Sequence, residues 1–295
     1  MLLLTALIWG SAFVAQSTGM KYVGPFTFNM ARSFIGFVVL IPVTLIFRKK
    51  RTAEHPLARA ERRSLNSGSI IGGIFCGLAL GVACSFQQLA VSMTSAGKVG
   101  FISSLYIILV PVLGLIIGKK IPKIIWLCVV LAVAGFYLLC INEGFSVALG
   151  DWFALISAFF FSVQMLIIDY FIAKDTDGVM MSCVQFFIAG VISLILAFIF
   201  ETPSWEALWG AKITLLYAGV LSSGGGYTLQ ILGQKHTTPA VAAFLLSLES
   251  IFAILCSWIF LHETFTIREL LGCLLVFAAV ILAQIPLPAR KSKDI

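Results

Sequence analysis

Within the long apolar stretches of this 295-residue chain, two side chains stand out for carrying charge, Arg32 and Glu249. An ionisable group inside a membrane span costs about 2.5–3.5 kcal/mol on insertion scales, so it faces a cavity or a partner. Asn29, Arg32 and Ser33 share one helical face at spacings of three and four. A guanidinium there can hold a carboxylate in bidentate fashion, which suits an amino acid or an organic acid. It can equally snorkel to the headgroups or pair with Glu249. Glu249 lies near the middle of its stretch, where a carboxylate can hold a substrate ammonium group, carry a proton, or simply pack the interior as a hydrogen-bonded acid. A direct Arg32–Glu249 pair would weaken both site readings.

Uncharged polar residues also fall into stripes: Trp9, Phe13 and Gln16; Ser157 and Gln164; Tyr227, Gln230 and Gln234. Aromatics with a few amides suit an apolar pocket that orients its ligand through sparse polar contacts. Each residue taken singly is explained as well by interhelical hydrogen bonding, worth about 0.6 kcal/mol per bond. The candidate pathway set is therefore Trp9, Gln16, Asn29, Arg32, Tyr106, Gln164, Tyr227, Gln230 and Glu249.

Other chemistries find no support. The seven cysteines are scattered singly, with no CxxC pair, and the three histidines are far apart, so no disulfide framework, metal or cofactor is indicated. There is no Gxxxx-GK[ST] loop to hold a nucleotide and no HExxH motif. Ser-His-Asp candidates are missing from the apolar stretches, which argues against an enzyme.

The elements that must position these residues are membrane helices. Hydrophobic residues make up 60% of the chain and charged ones 11%, with a mean hydropathy of +1.05. Soluble domains have about 45–50% and 25%, so a cytosolic enzyme, a nucleic-acid binder and a disordered chain are excluded. Charges, Gly and Pro divide the sequence into ten spans near 2–20, 26–47, 69–91, 98–118, 122–141, 150–172, 180–200, 212–233, 239–261 and 267–286. All must be helical, because lipid offers no partner to a free backbone group. The first lacks a charged leader segment and is read as a retained helix. With the N-terminus inside, fifteen of the twenty Lys and Arg fall on the inner side, four on the outer side, and Arg32 within a span. That asymmetry predicts both termini in the cytoplasm of a plasma-membrane protein. The basic stretch 48–67 is expected to be a solvated loop at the anionic inner leaflet. Pro111 is expected to kink the fourth span.

The chain also repeats itself. Residues 87–140 align without a gap on 230–283, an offset of 143, with 13 identities in 54 positions. Gln87 falls on Gln230, Ser104 on Ser247 and Tyr106 on Glu249, while at an offset of 153 Arg32 falls on Gln185. Two five-helix halves, 1–145 and 146–295, follow, and because five is odd the second enters the membrane inverted. Inverted repeats recur in secondary transporters, with the site between the halves. Gly73, Gly77 and Gly81 form a small-residue stripe on the third span and align with Gly224–Gly226 of the eighth, a sign of close helix packing.

Several local motifs match a known family. They are Trp9-Gly10-Ser11-Ala12-Phe13, Phe28-Asn29-Met30-Ala31-Arg32, Gly150-Asp151 before Ala154-Leu155, Ala242 to Ser250, Leu261-His262-Glu263 and Leu271-Gly272. Together they resemble the EamA family of the drug/metabolite transporter superfamily over essentially the whole chain. The resemblance implies ten helices with both termini cytoplasmic and the movement, commonly outward, of amino acids, other metabolites or drugs. Where the family often has a Gly-Glu pair after the fourth helix, this sequence has Gly118-Lys119-Lys120, and only the second half keeps an acid, Glu263. The resulting expectation is an all-α membrane protein with an inverted five-plus-five repeat. It would work as a secondary transporter, an exporter, of an amino-acid-like metabolite by alternating access, with proton coupling as an open option. The rival readings are an exporter of drugs or lipophilic cations, with Glu249 as charge partner, and a membrane enzyme or lipid-handling protein.

Overall fold

The computed structural model describes residues 1–54, 59–116, 124–140, 147–174, 176–236 and 239–284. No strand runs through the described residues. The helices are α1 (Leu2–Gly19), α2 (Pro25–Glu54), α3 (Arg59–Met93), α4 (Ala96–Ser103), α5 (Tyr106–Ile116), α6 (Ile124–Cys140) and α7 (Leu149–Ile172). They continue with α8 (Gly178–Phe200), α9 (Trp205–Gly210), α10 (Lys212–Leu216), a π-helical segment (Tyr217–Gly226), α11 (Tyr227–Gln234), α12 (Pro239–Leu261) and α13 (Ile267–Gln284). Among the described residues, six stretches are long and apolar enough to cross a membrane: Leu2–Gly19, Pro25–Lys49, Leu65–Met93, Ala96–Ile116, Leu149–Ile172 and Gly178–Phe200. Trp126–Gly135 and Leu245–Leu261 are shorter apolar helices.

Three features differ from the sequence expectation. The stretch 48–67 is helical up to Glu54 and again from Arg59, because Arg, Lys, Glu and Ala are strong helix formers. The fourth span is two helices, and the interruption comes at Ser104–Leu105 rather than at Pro111. There Leu105 N donates to Ile102 O and Ile107 N to Ser104 O, while the Ser104 hydroxyl takes up Phe101 O. The eighth span is three pieces joined by the π-helical segment, whose three consecutive glycines carry no side chain to hold regular winding. Ahead of it, α9 lays Trp205 and Trp209 on the surface, with Lys212 over the Trp209 ring at 4.4 Å. Aromatic rings of this kind sit at membrane interfaces.

The bundle is apolar outside and polar inside. Phe198 and Ile199 are 70% and 65% exposed, whereas Gln16, Arg32, Gln87, Gln164, Gln185, Gln230 and Glu249 are all buried. The tightest partners are α3 with α7 and α8, α2 with α8, α1 with α12, and α6 with α13. Small residues permit the approach. A Cβ on Gly77 would lie 2.6 Å from Ile188 Cβ and 2.8 Å from Gln185 O of α8. One on Gly10 would lie 2.4 Å from Phe252 Cβ and 2.7 Å from Glu249 O of α12. Without a hydrophobic drive between helices in lipid, such backbone contact supplies the packing.

One end of the bundle is tied by charge. It is the end where α1, α3, α8 and α12 finish and α2, α4 and α7 begin. The first turns of α2 and α4 present N–H groups with no intrahelical acceptor. The Glu201 carboxylate, just beyond α8, accepts from Phe26 N (2.9 Å), Thr27 N (2.8 Å) and Thr27 Oγ1 (2.6 Å). His262, in the left-handed region at φ 54°, ends α12 and turns Glu263 back, with Glu263 N donating to Ser257 O. The Glu263 carboxylate then accepts from Ala96 N (2.8 Å) and Gly97 N (3.1 Å), and Ser95 Oγ takes Lys98 N. Lys98 Nζ also meets Asp151 Oδ2 at 2.9 Å, and Asp151 is wholly buried. Breaking a buried pair from one side strands the other charge, so Lys98→Met should cost about 3–5 kcal/mol, and the double change Lys98→Met/Asp151→Leu should recover most of it. Thermal unfolding in detergent measures both.

Candidate functional site

The buried polar groups converge on a cavity at the centre of the bundle. It is lined by α1 (Trp9, Phe13, Gln16), α2 (Arg32), α3 (Gln87), α5 (Tyr106), α7 (Phe161, Gln164, Met165), the π-helical segment (Ser222), α11 (Tyr227, Gln230) and α12 (Glu249). Eight of the nine sequence candidates lie on this lining. Asn29 does not: its Nδ2 donates to Cys84 O at 2.7 Å, tying α2 to α3 behind the cavity wall. Phe13, Gln87, Phe161, Met165 and Ser222 line it as well. Phe13 is legible from the Trp9–Gln16 stripe and Gln87 from its repeat partner Gln230. For Phe161, Met165 and Ser222 no sequence signal separates them from packing residues.

Part of the lining is fixed by bonds between helices. Trp9 Nε1 donates to Ser222 O at 3.3 Å, and its ring lies 4.5 Å from that of Tyr227. Tyr227 meets Phe186 edge-on at 5.2 Å. Gln164 Nε2 donates to Gln185 Oε1 at 3.3 Å. Gln87 Nε2 donates to Ser103 Oγ at 3.3 Å, which is 3.4 Å from Ser157 Oγ. Gln16 Oε1 and Gln230 Oε1 are buried with no hydrogen-bond partner among the described residues.

The two charges share the cavity without pairing. The Arg32 guanidinium lies beside the Cys84 thiol and the Tyr227 hydroxyl. The Glu249 carboxylate lies beside Tyr106. Among the described residues, no ion pair joins Arg32 to Glu249. Tyr106 and Glu249 are 143 residues apart, and so are Cys84 and Tyr227, whose Sγ and Oη are 4.0 Å apart. The offset of the internal alignment thus recurs as contact across the cavity. The enclosed volume is about 30 Å³, enough for a couple of waters and far below the roughly 300–1,000 Å³ of ligand pockets. Admitting a metabolite requires the walls to part.

An all-helical bundle with lipid-compatible walls and its polar groups gathered on a central cavity has the build of a membrane carrier. The chain belongs to the EamA-like transporter family, whose model matches residues 1–141 and, separately, 148–284. This family falls within the drug/metabolite transporter superfamily. Among curated proteins, the chain is 29% identical over 285 residues to an uncharacterized transporter of Archaeoglobus fulgidus, covering 96% of this chain and 84% of that one. It is 26% identical over 294 residues to the uncharacterized transporter YoaV of Bacillus subtilis, covering 97% and 96%. A solved crystal structure superposes with a TM-score of 0.69 at 17% identity, covering 96% of this chain and 95% of that chain, and so has the same fold.

A carboxylate held in an ion pair and one held for a ligand respond differently to neutralisation. Glu249→Gln keeps the shape and replaces a buried acid that has no ion-pair partner among the described residues, so thermal unfolding in detergent should show an unchanged or raised midpoint. A structural ion pair in its place would lose about 3–5 kcal/mol.

Proposed function

We propose that this protein is a secondary transporter, working outward, for a small amino-acid-like metabolite, and that it operates by alternating access. The observation that carries the proposal is the presence of Arg32 and Glu249 on one buried cavity without a bond between them. Two buried charges of opposite sign left apart are matched by a ligand that brings both complements. An amino acid offers a carboxylate to the guanidinium and an ammonium group to the carboxylate. Trp9, Gln16, Tyr106, Gln164, Tyr227 and Gln230 complete the proposed pathway, with aromatic faces for an apolar side chain and amides for orientation. Asn29 acts from behind, holding α2 against α3. Glu249 is also the group through which a proton would couple.

In this reading ten helices form two inverted halves, 1–145 and 146–295. The two separate family matches support it, as do the helix pairings. Exchanging the halves turns the α3–α8 contact into the contact of the π-helical segment with α2, and α1–α12 into α7 with α4 and α5. Both termini then lie on the cytoplasmic side of the plasma membrane, the side to which the Lys and Arg excess falls. Rocking one half against the other opens the cavity to each side in turn.

Solute counterflow in proteoliposomes tests the proposal without needing the driving force. Vesicles are preloaded with a pool of amino acids, and labelled members are added outside. The expected result is accumulation of one label, reduced about tenfold or more by Arg32→Gln and by Glu249→Gln, since a hydrogen bond to a charged group is worth about 1.5–3 kcal/mol. Folded, inserted protein that accumulates no amino acid would sink the reading, and loss of lipophilic-cation movement alone in Glu249→Gln would replace it.

A further inference from the structure

We propose that an anionic phospholipid binds in a groove on the outside of the bundle between α3, α5 and α7, with one acyl chain in the groove and its phosphate on Lys174 and Tyr170. α7 packs against both α3 and α5. The groove is the gap between those two neighbours, bounded by Phe75 of α3, Leu113 and Ile116 of α5, and Val163, Leu166 and Tyr170 of α7. Its volume is about 380 Å³, within the roughly 300–1,000 Å³ of ligand pockets, whereas the central cavity holds about 30 Å³. From Val163 to Tyr170 it follows α7 for seven residues, about 10 Å. Its lining is aliphatic and aromatic, with the Tyr170 hydroxyl as its polar group, and Phe75, Ile116 and Tyr170 are exposed. The groove therefore opens onto the hydrocarbon of the membrane, where a hydrocarbon chain is the occupant at hand.

The end of the groove at Tyr170 is a cluster of donors. Lys174 follows the last turn of α7, and its Nζ lies 4.1 Å from the centre of the Tyr170 ring. The same Nζ donates to the Tyr170 hydroxyl at 2.6 Å. Because the phenol oxygen accepts that bond, its own proton is left to donate, and the ammonium group keeps two more. Several donors, one of them charged, at the mouth of an apolar groove match a phosphate that carries an acyl chain. The C-terminal end of α7 carries the negative end of the helix dipole, so an anion is held there only through Lys174. A zwitterionic headgroup sets its own cation against Lys174 and fits less well. Phe161, Gln164 and Met165 line the central cavity from the opposite face of the same helix. A chain in the groove thus packs behind the cavity wall and stabilises the folded bundle by mass action. Which leaflet supplies the lipid rests on the orientation proposed above: α7 ends on the side of the Lys and Arg excess, the anionic cytoplasmic leaflet.

Native mass spectrometry of the full chain in detergent tests the site, with dioleoyl phosphatidylglycerol and dioleoyl phosphatidylcholine as probes. The expected result is one phosphatidylglycerol retained about tenfold more tightly than phosphatidylcholine, with a raised thermal midpoint. Lys174→Gln should weaken phosphatidylglycerol about tenfold and abolish the preference, and Tyr170→Phe should weaken it by a smaller factor. Lys49→Gln, an exposed cation near the same end of the bundle on α2, should change neither lipid. Dihexanoyl phosphatidylglycerol has the same headgroup on shorter chains and should bind more than tenfold less tightly. Inorganic phosphate in large excess should not displace the dioleoyl lipid. Equal retention of the two dioleoyl lipids overturns the proposal, as does an equal loss in Lys49→Gln. Tight binding of the dihexanoyl lipid, or displacement by phosphate, also overturns it and leaves an anion site without a groove. The chain-length comparison uses the unaltered protein, so it decides even if a variant fails to fold. Binding in detergent is read apart from counterflow and from orientation, so the lipid site and the transporter reading stand or fall separately.

Discussion

A guanidinium and a carboxyl group lie on one buried cavity without meeting, and the packing of the helices is what keeps them apart. At low dielectric an unlike pair attracts strongly, and nothing in the side chains themselves prevents contact. Helix placement keeps them apart. Glu249 sits on α12, which α1 approaches to backbone distance at Gly10. Arg32 sits on α2, against the π-helical segment. On the same lining, Trp9 of α1 bonds to Ser222 O of that segment and packs against Tyr227. Arg32 is left with a thiol and a phenol for neighbours, and Glu249 with a phenol.

The same region holds the irregular backbone. Broken winding inside a membrane is tolerated only where it lines a cavity or is buried in protein. Both interruptions obey this rule: the α4–α5 break delivers Tyr106, and the π-helical segment delivers Ser222 and then Tyr227. Contacts between residues 143 apart, Cys84 with Tyr227 and Tyr106 with Glu249, put the relation between the halves at the cavity itself. The relation is chemically unequal, since an acid corresponds to a phenol and the Arg32 guanidinium has only the Gln185 amide for its counterpart.

One end of the bundle is held by charge. The carboxylates of Glu201 and Glu263 and the Lys98–Asp151 pair lie at one end of the bundle, away from the cavity, and the two glutamates bond chiefly to backbone. The second half keeps its acid at Glu263 for a reason that is local: α4 begins with two N–H groups that need an acceptor, and the left-handed turn at His262 brings Glu263 to them.

The membrane class, the places of the helices and most of the cavity lining are legible along the chain, because hydropathy, the cost of polar groups in lipid and the internal offset are all properties of residue order. Eight of nine candidates are on the lining because polar side chains in lipid-facing helices have one place to go, and that place is inward. Other features arise only when the helices pack. Asn29 shares a helical face with Arg32, yet its amide is spent on Cys84 O, since the partner on α3 arrives only on docking. The breaks at Ser104–Leu105 and Tyr217–Gly226 replace expected continuous helices, because side-chain bonding and glycine winding settle there against neighbours rather than by propensity. The stretch 48–67 is largely helix, where polarity had suggested a loop. Whether Arg32 and Glu249 pair is a distance between two helices far apart in sequence, and no periodicity encodes it. The grip of Glu201 and Glu263 on α2 and α4 is of the same kind: unsatisfied N–H groups can be counted from residue order, but which acid reaches them depends on how the halves are docked.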